Sequence, residues 1–234
     1  MAARKITPKI HHDWDLTPEE AVALQKRLAP QVVREAVLGP VTTVAGVDAS
    51  YKAGVARAAV VVLAYPDLEM LDYAVATRPA DFPYVPGLLT FREGPVALDA
   101  LGKLSVIPDL LVFDGHGIAH PRRLGIASHI GLLVDIPSIG CAKRRLCGQY
   151  EEPGQERGDF SFLTDAGETL GAAVCTRTGV KPVFVSIGHR VDLPTGLHYI
   201  LSCCRGYRLP EPTRWADRVA GGEIPPPRQL GFAL

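Results

Sequence analysis

Three β-rich runs follow one another with only short turns between them, and no other feature constrains the chain more. They are Thr42 to Tyr51, Val55 to Ala64 and Leu68 to Thr77. Lys52-Ala53-Gly54 is turn chemistry with no room for a helix, so the runs are expected to form an antiparallel meander. Downstream the rhythm changes. Apolar runs at Leu110 to Phe113 and Ile136 to Cys141 are separated by a helical stretch from Gly125 to Val134, as in parallel strands joined by crossover helices. Further strands are expected at Gly171 to Thr176 and Val183 to Ile187, and helices from Pro95 to Leu104 and Thr195 to Cys204, with a last segment at Pro212 to Ala220. Near the start, Thr17-Pro18-Glu19-Glu20 is a capping box. Apolar Val22, Leu24, Leu28, Val32 and Val33 continue its helical face towards Gly39, with a kink or split at Pro30. The expectation is an α/β fold, a mixed β-sheet with an antiparallel meander followed by parallel strands, flanked by helices. With 234 residues, 47% of them hydrophobic, one large core can form. Neither a repeat nor a long linker divides residues 1–234, so a single domain is expected.

Charge narrows the partners. Lys plus Arg and Asp plus Glu both number 25, so a polyanion would have to be met by a local cluster. Arg122, Arg123, Lys143, Arg144 and Arg145 make the clearest one, with Asp135 the lone acid between Arg122 and Arg145. No stretch approaches eighteen uninterrupted apolar residues and MAARKITPKIHHDWD lacks an apolar core, so a cytoplasmic, membrane-free protein is expected, acting as a monomer. An odd set of cysteines without C-x-x-C spacing fits reduced thiols.

The run Leu110 to Phe113 ends on a carboxylate, Asp114, followed by Gly115-His116-Gly117-Ile118-Ala119-His120-Pro121-Arg122-Arg123. Open α/β sheets bind ligands at the carboxyl ends of their strands, although Asp-Gly is also ordinary turn chemistry after any strand. The run from Thr42 carries a second acid, Asp48, near its end, where an interior charge is costly unless paired or metal-bound. Hard oxygen ligands without zinc-like Cys or His spacing favour Mg²⁺, with Mn²⁺ able to substitute. Such an ion beside Lys, Arg and His suits hydrolysis of a phosphodiester. In Pro83-Tyr84-Val85-Pro86, prolines stiffen a loop that presents Tyr84, a tool for stacking on or wedging between bases; packing beneath its own loop is the competing reading. Glu93 follows, ahead of the helix expected from Pro95.

These motifs together resemble the endonuclease V family over nearly the whole chain. The resemblance is carried by GVDASY (46 to 51), PYVPGLLTFREGP (83 to 95), LLVFDGHGIAHPRRLGIASHIG (110 to 131), SIGCAKRRL (138 to 146), SIGHRVDL (186 to 193) and GYRLPEPTRWAD (206 to 217), in family order. It implies an RNase H-like fold and an Mg²⁺-dependent repair nuclease acting on DNA that holds deoxyinosine or other deaminated or mismatched bases. The implied cut is at the second phosphodiester bond 3′ to the lesion, leaving 3′-hydroxyl and 5′-phosphate ends. The alternative is an endoribonuclease acting on inosine in single-stranded RNA. The resemblance further implies that Asp48 and Asp114 are the principal metal ligands, completed by Glu93 and Asp217. Lys143, beside Ala142, would act on the scissile phosphate, and His120 at the catalytic pocket. Tyr84, flanked by Pro83, would be a wedge, and Gly87 to Leu89 part of the base pocket, with Gly115 and His116 near it and Arg122 on the backbone. His189 has a weaker claim.

Overall fold

The computed structural model describes residues 5–79 and 82–224. The proline-rich tail from Pro225 to Pro227 lies outside them. In chain order the elements are α1 (Pro18–Leu28), β1 (Thr43–Lys52), β2 (Val55–Ala64), β3 (Met70–Pro79), α2 (Leu89–Leu101), β4 (Leu110–Phe113), α3 (Ile126–Val134), β5 (Ser138–Ala142), β6 (Phe160–Asp165), β7 (Glu168–Val174), β8 (Val183–His189), α4 (Leu193–Ser202) and α5 (Glu211–Ala220). All strands join one eight-stranded sheet in the order β3-β2-β1-β4-β5-β8-β7-β6. The meander β1 to β3 is antiparallel, β1, β4 and β5 run parallel, and β8, β7 and β6 return antiparallel.

Both faces of the sheet are covered, which is why β2 and β4 read as continuous apolar runs. One core packs Val60, Val62, Leu111 and Phe113 against α2 and α3. The opposite core packs Val61, Val112, Val183 and Val185 beneath α4 and α5.

Several elements depart from the sequence expectations. α1 ends at Leu28 and a single 3₁₀ turn, Ala29–Gln31, takes up Pro30, so Val32 and Val33 lie beyond the helix. α2 begins at Leu89, not Pro95, and Pro95 sits inside it. A proline at the seventh helical residue loses the bond to the carbonyl four residues earlier and crowds it, a cost set against the burial of Phe91, Val96 and Ala97. Glu93 is therefore helical. β6 was hidden behind the polar stretch Glu151 to Asp159, because Phe160 and Phe162 face outwards and only Leu163 is buried.

Candidate active site

The site forms where the parallel pair β1–β4 ends. The last rung pairs Val47 with Phe113, and the Asp114 N–H donates to the Val47 carbonyl at 3.1 Å. Asp48 and Asp114 are thus the next residues on neighbouring strands, although β1 continues to Lys52 along β2. Glu93 comes from α2 and Asp217 from α5. A Cβ on Gly46 would lie 1.9 Å from the Pro212 carbonyl oxygen, so only glycine lets the start of α5 rest directly on β1. That contact carries Asp217 to the acids. Lys143, just past β5, places Nζ 2.5 Å from Asp114 Oδ2 and 3.9 Å from Asp217 Oδ1.

Burial and mutual repulsion set the protonation of these groups. Burial first, then the charges of Asp114 and Asp217, push Asp48 up to about 7, against the pull of Lys143 and the Ala49 N–H. Glu93 is pushed up to about 8 by burial and by Asp48, with Arg92 opposing. For Lys143, burial favours the neutral amine, but the bond to Asp114 and the surrounding acids prevail and raise its pKa.

Among the described residues, no three His, Cys, Asp or Glu side chains converge closely enough to make a ready-formed ion cage. The donors nevertheless suit a hard divalent cation. All are carboxylates, the nearest cation is an ammonium already seated on Asp114, and carboxylates crowded without a compensating charge hold protons near neutrality.

Beside Asp114 the chain builds a pocket of about 210 Å³ whose lining includes Tyr84, Gly87, Leu89, His116, His120 and Ile126. Tyr84 stands 72% exposed, so it is presented and not packed under its loop. Gly87 turns the chain with φ +81°, and its carbonyl accepts from Gln25 Nε2 at 3.0 Å, His120 Nε2 at 2.8 Å and Arg122 at 2.8 Å. His120 also accepts the Arg122 N–H at Nδ1 over 3.1 Å, which fixes the neutral tautomer with Nε2–H. Burial holds it down to about 4. Both of its ring nitrogens are thus committed to hydrogen bonds within the chain. His116 Nε2 contacts the Arg144 carbonyl at 2.9 Å, and a Cβ on Gly115 would meet Ile126 at 2.6 Å.

The basic cluster splits in two, and Arg144 and Arg145 stay exposed beside Lys143. Lys143 joins the acids, but Arg122 bonds Gln25 and the Gly87 carbonyl, and Arg123 pairs with Asp165 and Glu168. Arg122 braces the pocket in place of forming an open patch. His189 is buried between the Val33 N–H and Asp135, away from the acids. Gln25 was not singled out from the sequence. Its signal was a polar residue on the buried face of α1 between Leu24 and Leu28, where an unsatisfied amide would be costly.

The model of the family described as Endonuclease V matches residues 26–218. A protein of that name from Roseiflexus sp. strain RS-1 is 56% identical over 213 residues, covering 91% of this chain and 96% of its own length. The crystal structure of the endonuclease V of Streptomyces avermitilis superposes with a TM-score of 0.85 at 44% identity, covering 91% of this chain and 95% of that one. That of Ciona intestinalis, in complex with a 23mer DNA containing an inosine followed by a ribo-adenosine, gives 0.75 at 28% identity, covering 88% and 97%.

Proposed function

The chain belongs to the endonuclease V family and is a nuclease, and on that premise we propose that it is a Mg²⁺-dependent repair endonuclease directed to deoxyinosine in DNA. It hydrolyses the second phosphodiester bond 3′ to the lesion and leaves 3′-hydroxyl and 5′-phosphate ends. The observation that carries this reading is that Asp48 and Asp114 follow one rung on neighbouring strands, with Lys143 against Asp114 and Asp217, beside a pocket lined by Tyr84.

Asp48 and Asp114 would hold the ion, with Glu93 and Asp217 completing its surroundings directly or through water. Bound there, Mg²⁺, or Mn²⁺ in its place, polarises the phosphodiester and lowers the pKa of an attacking water. Lys143 offsets negative charge that builds on the scissile phosphate. Tyr84, stiffened by Pro83 and Pro86, parts the strands. The Gly87 turn, held by Gln25, His120 and Arg122, shapes the pocket for the extruded base. Hypoxanthine pairs poorly with thymine, so extruding it costs less than extruding a matched base, a saving on the order of a few kcal/mol. Other deaminated or mismatched bases enter for the same reason. The protein acts as one domain over residues 1–234, as a monomer in the cytoplasm; its free cysteines fit a reducing compartment.

Cleavage of an inosine-containing duplex with Mg²⁺, abolished by EDTA, tests the proposal; no cleavage of any inosine strand overturns it. A second reading, an endonuclease of inosine in single-stranded RNA, is favoured by the ribo-adenosine that follows the inosine in the Ciona complex. Matched DNA and RNA strands decide between them by their kcat/KM.

A further inference from the structure

The Tyr84 loop and the first turns of α2 form a partition with a cavity on each side. On one side lies the pocket lined by Tyr84, Gly87, Leu89 and Thr90. On the other is a larger hollow of about 580 Å³, bordered by Pro83 and by Trp14, Phe82 and Phe91, with Arg78 and Arg92 also in its lining. A helix turns about 100° per residue, so Glu93 projects between Leu89 and Thr90, while Phe91 and Pro95 point to the opposite side. The acids and the first pocket therefore share one side of the partition. The hollow has the other to itself, and no step at the acids uses it.

Its lining is that of a site for single-stranded nucleic acid. Trp14 gives a base a surface to pack on beside the buried rings of Phe82 and Phe91, and among the described residues of the lining two guanidiniums stand with one carboxylate, Asp15. Arg78 is half-exposed and pairs with Asp99 at 2.6 Å, an exposed bridge that a phosphate can replace at little cost. Arg92, half-buried, lies 3.7 Å over the Tyr51 ring.

A wedge that parts a duplex leaves two bases without partners. One enters the pocket beside the acids, and the other remains on the complementary strand, across the wedge. We infer that the hollow bounded by Trp14, Arg78, Phe82 and Arg92 receives the strand opposite the lesion, with its orphaned base against the aromatic wall and its phosphates on the guanidiniums. This rests on reading the chain as a nuclease of inosine-containing duplexes.

The test uses the full chain with Mg²⁺ and one inosine strand, presented alone or paired with its complement. Arg78→Ala is expected to raise KM for the duplex about tenfold, while KM for the single strand stays within about twofold and kcat is unchanged on both. Arg78→Lys should recover most of the loss, which a merely structural role would not explain. An equal change on both substrates, or none on the duplex, overturns the inference. A second readout needs no variant: 2-aminopurine placed opposite the inosine should be quenched on binding as it packs against Trp14, and brightening, as of a base left in solvent, overturns the inference. A wild-type protein that cuts neither substrate defeats the proposed function instead, and the 2-aminopurine duplex then still decides whether the hollow takes the opposite strand.

Discussion

Asp48 and Asp114 are successors to one rung: β1 and β4 part company after Val47 and Phe113, and the next residue on each strand is an acid. Two half-buried carboxylates side by side on neighbouring strands repel, and the ammonium of Lys143 only partly answers them. Such an arrangement costs stability and persists where a cation repays it in function.

Asp48→Asn and Asp114→Asn are therefore expected to lower kcat on an inosine duplex by more than about a hundredfold, the scale on which even outer partners of a metal act. Asp48→Asn should leave the metal-free protein as stable or more so. The folded pKa of about 7 lies above the unfolded value, so the native state holds an extra proton between roughly pH 4 and 7, and stability falls as pH rises through that window. Removing the acid removes that loss. Near-normal turnover by either variant, or a thermal midpoint at pH 8 well below wild type for Asp48→Asn, contradicts the assignment.

Gly87→Val tests the pocket. The glycine has φ +81°, and a Cβ there would lie 2.7 Å from the Arg122 guanidinium and 3.4 Å from His120. A β-branched residue in that conformation costs roughly 1–2 kcal/mol and pushes Arg122 off its carbonyl. Inosine cleavage should fall at least tenfold while the fold survives, as circular dichroism would report. Normal discrimination of inosine from adenine in this variant would show that the turn does not shape the pocket.

How much of this could be read beforehand varies with the distance over which each residue is determined. Asp48 and Asp114 were legible because each interrupts an apolar run, and the meander because its turns are local. Asp217 carried no local signal: it reaches the acids because Gly46 admits Pro212, a contact between opposite ends of the chain. The basic cluster misled for the converse reason. Arg122 and Arg123 look like a patch beside Lys143, but partners remote in sequence, Gln25, Asp165 and Glu168, turn them inwards. Pro95 misplaced the start of α2 because a helix-breaking tendency was weighed without the core that overrides it.

Tyr84 offers a separation of functions. The residue is 72% exposed, so Tyr84→Ala should leave the thermal midpoint unchanged. Loss of a stacking ring costs on the order of 1–3 kcal/mol, or about ten- to hundredfold in affinity for an inosine duplex. Tyr84→Phe should retain most of it, because the ring and not the hydroxyl does the parting. Unchanged duplex affinity for Tyr84→Ala, measured by fluorescence anisotropy, would remove the wedge.

The N-terminal segment supplies a pH-dependent prediction. His12 Nε2 and His129 Nε2 lie 2.9 Å apart, so one proton sits between the two nitrogens and the rings are not both charged. His129 is fully buried with Trp14 stacked on it at 5.6 Å, and its Nδ1 has no partner among the described residues. Burial, then the charges of His12 and His120, hold it down to about 3. The unfolded chain takes up a proton near pH 6.5 that the folded chain refuses, so this contribution is full above pH 6.5 and drains away towards pH 3. Asp48 and Glu93 act in the opposite direction over part of that range, so the quantity to follow is the difference between wild type and His129→Gln. From urea midpoints at pH 7.5 and 4.5, the stability advantage of wild type should shrink by up to about 1.4 kcal/mol for each pH unit below 6.5. An advantage that does not change with pH would mean that His129 takes up a proton as readily in the folded protein as in the unfolded chain, against its complete burial.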